Sequence, residues 1–216
     1  MTHRGKKEIL SWSLSVSDAK ISVIPCCVDT QHFDAIPISL EAIQDFRASL
    51  GIAPQTFLWC YLGSIGTWYM LDEMMDFFVV WLLKNPDSKL LFITHDEHAR
   101  IEKAATQRGI ANRILYQGAS RQELPLWIAA CRASLFFIRS TYSKMSSSPT
   151  KQGELMAMGI PIVCNAGVGD TDKIVLDYES GVLVDAFDPK TYEKAIENFK
   201  NTSFDASSIR KGAQDY

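Results

Sequence analysis

One pattern narrows the fold of this chain more than any other. Short, uninterrupted apolar runs take turns with segments whose apolar residues recur at helical spacing. TFLWCYLG (56–63), KLLFIT (89–94), RILYQG (113–118), ASLFFI (133–138), PIVCN (161–165) and GVLVD (181–185) read as strands, and ISVIP (21–25) reads as one more. Helical patterns cover 39–51, 70–85, 96–109, 121–131, 149–158, 170–178 and 189–200, with a last helical piece over 205–214. Strands that are apolar throughout, without in-and-out alternation, are buried on both faces, as in a parallel sheet covered by helices. The pattern predicts an α/β fold with a doubly wound, Rossmann-like parallel sheet. Residues 1–20 are expected to form a lead-in helix and linker, 21–200 the Rossmann-like domain, and 201–216 a C-terminal helical tail.

Composition removes several function classes. The net charge is −3, without the basic excess of a nucleic-acid binder. The longest apolar run lies near FFVVWLL, too short for a transmembrane segment. The N-terminus MTHRGKKEILSW lacks the long apolar stretch of a signal peptide. Five cysteines (Cys26, Cys27, Cys60, Cys131 and Cys164) show no CxxC spacing. Free thiols in a reducing compartment fit better than a zinc or disulfide framework. The expectation is a cytoplasmic protein with no nucleic-acid partner and no metal.

In doubly wound folds ligands bind beyond the carboxyl ends of the strands, against helix N-termini. The loops that matter therefore follow Leu62, Thr94, Tyr116, Ile138 and Cys164. In YLGSIGTWY, Gly63 and Gly66 flank Ser64 and let the backbone approach a ligand closely, although a glycine pair there also serves as plain turn chemistry. HDEH (95–98) lacks HExxH spacing, so Asp96 and Glu97 read as a helix cap and first-turn acids. In YQGAS, the backbone of Tyr116, Gln117 and Gly118 is available to a planar base.

The densest signal is SSSPTKQGELMAMGIPIV (146–163). Ser148 reads as the N-cap and Pro149 as the first helical residue. Thr150 and Lys151 then add a hydroxyl and an ammonium to the free amides of the first turn, which suits a diphosphate. Glu154 follows three residues after Lys151 on the same face, where its carboxylate suits the hydroxyls of a ribose. The plainer alternative is an exposed Lys–Glu helix pair.

These residues resemble a known family. SPTKQGELMAMGIPIV is similar to the donor-binding segment of retaining GT-B-type glycosyltransferases, group 1 and family 4-like. ISVIPCCVDTQHF is similar to the entry into that family's C-terminal half, YLGSIGTWYMLD to its glycine loop, and YQGASRQELPLWIAACRASLFFI to the segment that follows. The resemblance implies a single domain of GT-B type that binds a nucleotide-sugar as substrate, with no cofactor. It implies Gly63 against the donor phosphates, Glu154 on the ribose, Ser148, Thr150 and Lys151 at the phosphates, and residues 116–118 at the base. Three positions depart from the family. Ser146 stands where a first glutamate is expected, and Ser64 and Tyr69 stand where the glycine loop usually has arginine and lysine. Lys151 and Arg139 are the candidates for replacement charge. The chain also lacks the family's N-terminal acceptor-binding domain, so it resembles the donor-binding half alone, expected to be inactive without its partner half. Peripheral membrane association of the full-length enzyme stays open. So do two other readings: a degenerate nucleotide-binding or interaction module without transferase activity, and an epimerase of the same architecture.

Overall fold

The computed structural model describes residues 1–12 and 15–215; Ser13 and Leu14 of the expected linker and Tyr216 of the expected tail lie outside the described residues. Six parallel strands form one sheet in the order β3-β2-β1-β4-β5-β6, as the apolar runs predict. In chain order the elements are α1 (His3–Ser11), α2 (Leu40–Ser49), β1 (Leu58–Leu62), α3 (Leu71–Lys84), β2 (Lys89–Ile93) and α4 (Ala99–Gln107). They continue with β3 (Ile114–Gln117), α5 (Leu124–Ala129), β4 (Ala133–Phe136), α6 (Thr150–Ala157) and β5 (Ile162–Asn165). The last four are α7 (Thr171–Asp177), β6 (Gly181–Val184), α8 (Pro189–Asn201) and α9 (Ala206–Asp215).

Every residue of β1, β4 and β5 is buried, which is why these strands carry no polar alternation. Beneath β1 an aromatic layer fills the space against α3 and α8. Trp59 meets Trp81 at 4.9 Å and Phe199 at 5.0 Å, and Phe77 meets Tyr192 at 5.5 Å. Such edge-on and tilted pairs each add about 0.5–1.5 kcal/mol beyond area burial. The Ser39 hydroxyl caps α2 by accepting from the Ala42 amide at 3.1 Å, and Asp188 caps α8 by accepting from Thr191 at 3.0 Å.

Three local expectations are corrected. Residues 21–25 are not a strand: they run as a strap outside the sheet, whose edges are β3 and β6. The Met1 amino group donates to the Ile24 carbonyl at 2.8 Å, and the Cys26 amide donates to the Ser148 hydroxyl at 3.1 Å. Ser148 is therefore not the N-cap of α6; Pro149 occupies that position and Thr150 is the first helical residue. Asp96 does not cap α4, which begins at Ala99 after an N-cap at His98.

The segment that reads as a lead-in is bonded to the domain. Asp170, only 5% exposed, accepts from the amides of His3 (2.6 Å) and Arg4 (3.2 Å), capping α1 from a distant loop. The Thr2 hydroxyl accepts from Gly5 at 3.0 Å and donates to the Met145 carbonyl at 2.6 Å. Arg4 pairs with Asp172 at 2.7 Å. A Cβ on Gly5 would sit 2.4 Å from the Ser146 hydroxyl, so the helix lies directly on the turn at 142–146. Asp170→Ala should strip protection from the amides of residues 3–11 in hydrogen exchange and cost about 1–3 kcal/mol, the usual effect of losing a charged acceptor. The sheet amides should keep their protection. Retained protection over α1 would show that Asp170 does not hold it.

Candidate functional site

The strand order reverses between β1 and β4, which opens a crevice beyond their carboxyl ends. A cleft of about 350 Å³ lies there. Its lining includes Gly63 and Ser64 after β1, His95 and Asp96 after β2, Ala119, and Thr150, Lys151 and Glu154 of α6. The N-terminus of α6 faces this crevice with its positive dipole end, and Thr150 and Lys151 of its first turn line the cleft.

Lys151 is 6% exposed, and its Nζ donates to the Tyr61 hydroxyl at 3.1 Å. The same nitrogen lies 3.8 Å from the centre of the Tyr69 ring and 4.3 Å from that of Tyr61. Tyr69 reaches this position because its segment is pinned to β4's extension. Met70 donates to the Phe137 carbonyl at 3.1 Å and Arg139 donates to the Trp68 carbonyl at 2.8 Å, around an antiparallel bridge between Tyr69 and Ile138. Gly63 has φ +106°, and a Cβ there would come 3.2 Å from Lys151 Nζ. Only glycine combines that backbone with room for the lysine. Burial lowers the Lys151 pKa from 10.5 to about 7, with Glu154 opposing.

Glu154 is half-buried. Burial raises its pKa, opposed chiefly by Arg121, whose Nη1 lies 3.6 Å away. Arg121 itself packs over the Phe33 ring at 5.2 Å, and its carbonyl meets the His32 ring at 2.7 Å, which ties the strap at 21–36 to this corner of the cleft. The plain exposed Lys–Glu pair is thereby excluded: Lys151 turns inward to the tyrosines, and Glu154 pairs with Arg121.

The cleft brings together Gly63, Ser64, Thr150, Lys151 and Glu154. The other sequence candidates lie around it. The Gly66 amide donates to the Ser64 hydroxyl at 3.1 Å. Ser148 holds the strap, as above. Gln117 is exposed at the end of β3. Gly118 lies against the His95 ring, where a Cβ would come 2.4 Å from Nδ1, and the neighbouring Ala119 is the one that lines the cleft. The Tyr116 hydroxyl donates to Glu102, and its ring sits 4.4 Å from His98, in a separate groove beside α4. The Arg139 side chain is exposed.

Sequence reasoning missed residues whose partners are far away along the chain. Asp96 accepts from the Ser64 hydroxyl and the Ile65 amide, both at 2.7 Å, and so fixes the glycine loop. Asn165, buried at the end of β5, accepts from the Ile138 amide (2.8 Å) and donates to the Ile138 carbonyl (2.9 Å), which fixes the start of the loop leading to α6. Tyr61 sits mid-run in a strand, where it reads as plain core.

The Lys151 shift fixes a sign for stability. Between pH 7 and the unfolded value of 10.5 the unfolded chain binds more protons at this site, so its contribution to stability rises with pH. Above about pH 8.5 the buried Cys131 and Cys164 thiols, held above their ordinary pKa, pull the other way. Lys151→Met should therefore stabilise the ligand-free protein at pH 7 by on the order of 2–5 kcal/mol. That advantage should shrink by about 1–2 kcal/mol at pH 8.5. Urea denaturation across this window measures it, and a pH-independent difference would contradict a desolvated amine.

The fold occurs in known proteins. The solved structures that are similar include three with informative coverage. One is WaaG, described as a glycosyltransferase involved in lipopolysaccharide biosynthesis (TM-score 0.76, 13% identity, 100% of this chain and 56% of that one). Another is Anabaena HepE in complex with UDP and glucose (TM-score 0.74, 16% identity, 99% and 56%). The third is the C-terminal domain of the group 1 glycosyl transferase LpcC from Francisella tularensis (TM-score 0.57, 22% identity, 87% and 93%). The chain spans about half the length of WaaG and HepE and nearly all of the isolated LpcC domain. At these identities the likeness is one of fold. No curated protein matches the chain in sequence. The family model for glycosyl transferases group 1 matches residues 42–215, and the chain belongs to that family.

Proposed function

We propose that this domain binds the nucleotide end of an activated sugar and, joined to an acceptor-binding half, serves transfer of that sugar to an acceptor. The observation that carries the reading is the meeting, at the strand-order reversal, of an open helix N-terminus, a buried lysine and a glycine turn, with a carboxylate one turn further along the helix. Amides and an ammonium stabilise a diphosphate, and an anionic carboxylate accepts from paired ribose hydroxyls. Gly63, Thr150 and Lys151 face the phosphates in this reading, Glu154 the ribose, and the backbone near Ala119 the base. The UDP and glucose seen in HepE, on a similar fold, support it. The nucleotide-sugar is a substrate here, not a cofactor. Alone the domain is inactive, because an acceptor and its catalytic groups come from elsewhere. Five free cysteines support a reducing, cytoplasmic setting. No helix among the described residues is long and apolar enough to cross a membrane.

A second reading, nucleotide binding without transfer, draws on Ser146. The family's first glutamate is expected there, and in this domain Gly5 of α1 lies against the serine hydroxyl. Donor hydrolysis after joining the domain to an acceptor half separates the two readings.

UDP, GDP, ADP and CMP compared by thermal shift test the donor site. At a hundredfold excess over Kd, binding adds about 2.7 kcal/mol, which is about 5–10 °C for a chain of this size. One nucleotide should give such a shift. Glu154→Gln should weaken it about 10- to 100-fold in Kd, the effect of losing a charged acceptor. No shift with any of the four would sink the donor-site reading.

A further inference from the structure

The groups around Lys151 come from every element that meets it. β1 supplies Tyr61, the loop before α3 supplies Tyr69, and β4 supplies Phe136, whose ring centre lies 5.9 Å from the lysine Nζ. Its own helix supplies Glu154, which is engaged by Arg121. The loop after β2 supplies His95 and Asp96 as cleft lining, with Asp96 Oδ2 committed to Ser64 and Ile65. An ammonium has three donors. The Tyr61 oxygen accepts one of them, and the Tyr61 hydroxyl donates its own hydrogen bond to the Ser64 carbonyl. The lysine is thus enclosed by rings and open only towards the cleft.

We propose that Tyr61 and Tyr69 are positioning residues for Lys151. They hold its amine in a dry aromatic cage, partly unprotonated while the cleft is empty, so that donor binding draws in a proton. The inference rests on the cleft being the donor-phosphate site. The chemistry balances simply: the neutral amine takes one proton from solvent as the diphosphate enters, and gives it back when the nucleotide leaves. The two phenols do not supply it, because burial raises both of their pKa values and keeps them protonated. The lowered pKa of Lys151, about 7, accords with the cage.

Calorimetry in buffers of different ionisation enthalpy measures the protons taken up per ligand bound. UDP-glucose, GDP-mannose and ADP-glucose are suitable probes, because their diphosphate diesters do not titrate near neutrality. From a pKa of about 7, uptake should be roughly 0.9 proton at pH 8 and roughly 0.1 at pH 6. Tyr69→Ala admits water and should lower the pH 8 uptake to below roughly half a proton. Tyr69→Phe keeps the ring and should retain the full uptake, and Lys151→Met should abolish it. Binding with no proton uptake at pH 8 would overturn the cage and leave the donor site standing. No binding heat with any of the three probes would overturn the donor-site reading and the cage with it.

Discussion

A lysine amine surrounded by aromatic rings is expensive to keep, and the architecture of this cleft follows from keeping it. The side chain starts on α6 and ends against β1, so the N-terminus of that helix must stand over the carboxyl end of β1. The reversal of strand order between β1 and β4 brings these two elements together. Space for the amine exists because position 63 has no side chain. Attraction to the faces of Tyr61 and Tyr69, with one hydrogen bond to a phenol, offsets part of the lost hydration. A ligand with negative charge would offset the rest.

The two ends of the sheet differ in balance. At the amino end aromatic packing dominates, with Phe57, Trp59, Trp81 and Phe199 filling volume beside the hydrogen bonds of buried Arg47 to the Ala130 and Thr56 carbonyls. At the carboxyl end, loops are held by directional bonds from single polar side chains. Asp96 holds the glycine loop, Asn165 the start of the loop to α6, Ser148 the strap and Asp170 the first helix. A binding constellation needs sub-ångström placement, and hydrogen bonds from buried or part-buried groups supply it where hydrophobic contact alone would let loops slide.

That division explains what the sequence could and could not disclose. The six strands of the sheet were legible because apolar runs report burial on both faces, a local property. Residues 21–25 misled because an apolar extended strap and a strand share the same composition, and only the pairing distinguishes them. Asp96 sits where a cap belongs, yet it bonds a loop about thirty residues earlier. Ser148 precedes a helix as an N-cap would, yet it serves Cys26 across the strap. Lys151 and Glu154 have the spacing of a surface pair, and each finds its partner elsewhere, in Tyr61 and Arg121. In each case a non-local bond replaced the local one that spacing implies. Glycine at 63 stayed legible as a turn position because its positive φ is a matter of local backbone geometry.

The departures at positions 64 and 69 then become one change rather than two. The resemblance implies arginine and lysine in the glycine loop, both aimed at a diphosphate. Here Ser64 gives its hydroxyl to Asp96, and Tyr69 offers a ring face to a lysine that arrives from the helix instead. Under the proposed reading the cation stands on the helix rather than in the loop, and Tyr69 is part of the wall against which it packs. One side-chain charge in place of two weakens attraction for any anion, including free phosphate and unrelated nucleotides. The remaining attraction comes from the helix N-terminus and from Lys151, whose pKa burial lowers and which, under the proposed cage, gains its full charge when a ligand is seated. In the proposed reading selectivity then comes from the rest of the donor, with the ribose assigned to Glu154 and the base to the backbone near Ala119. Electrostatics that strengthen only on binding favour a ligand that satisfies all of these points at once.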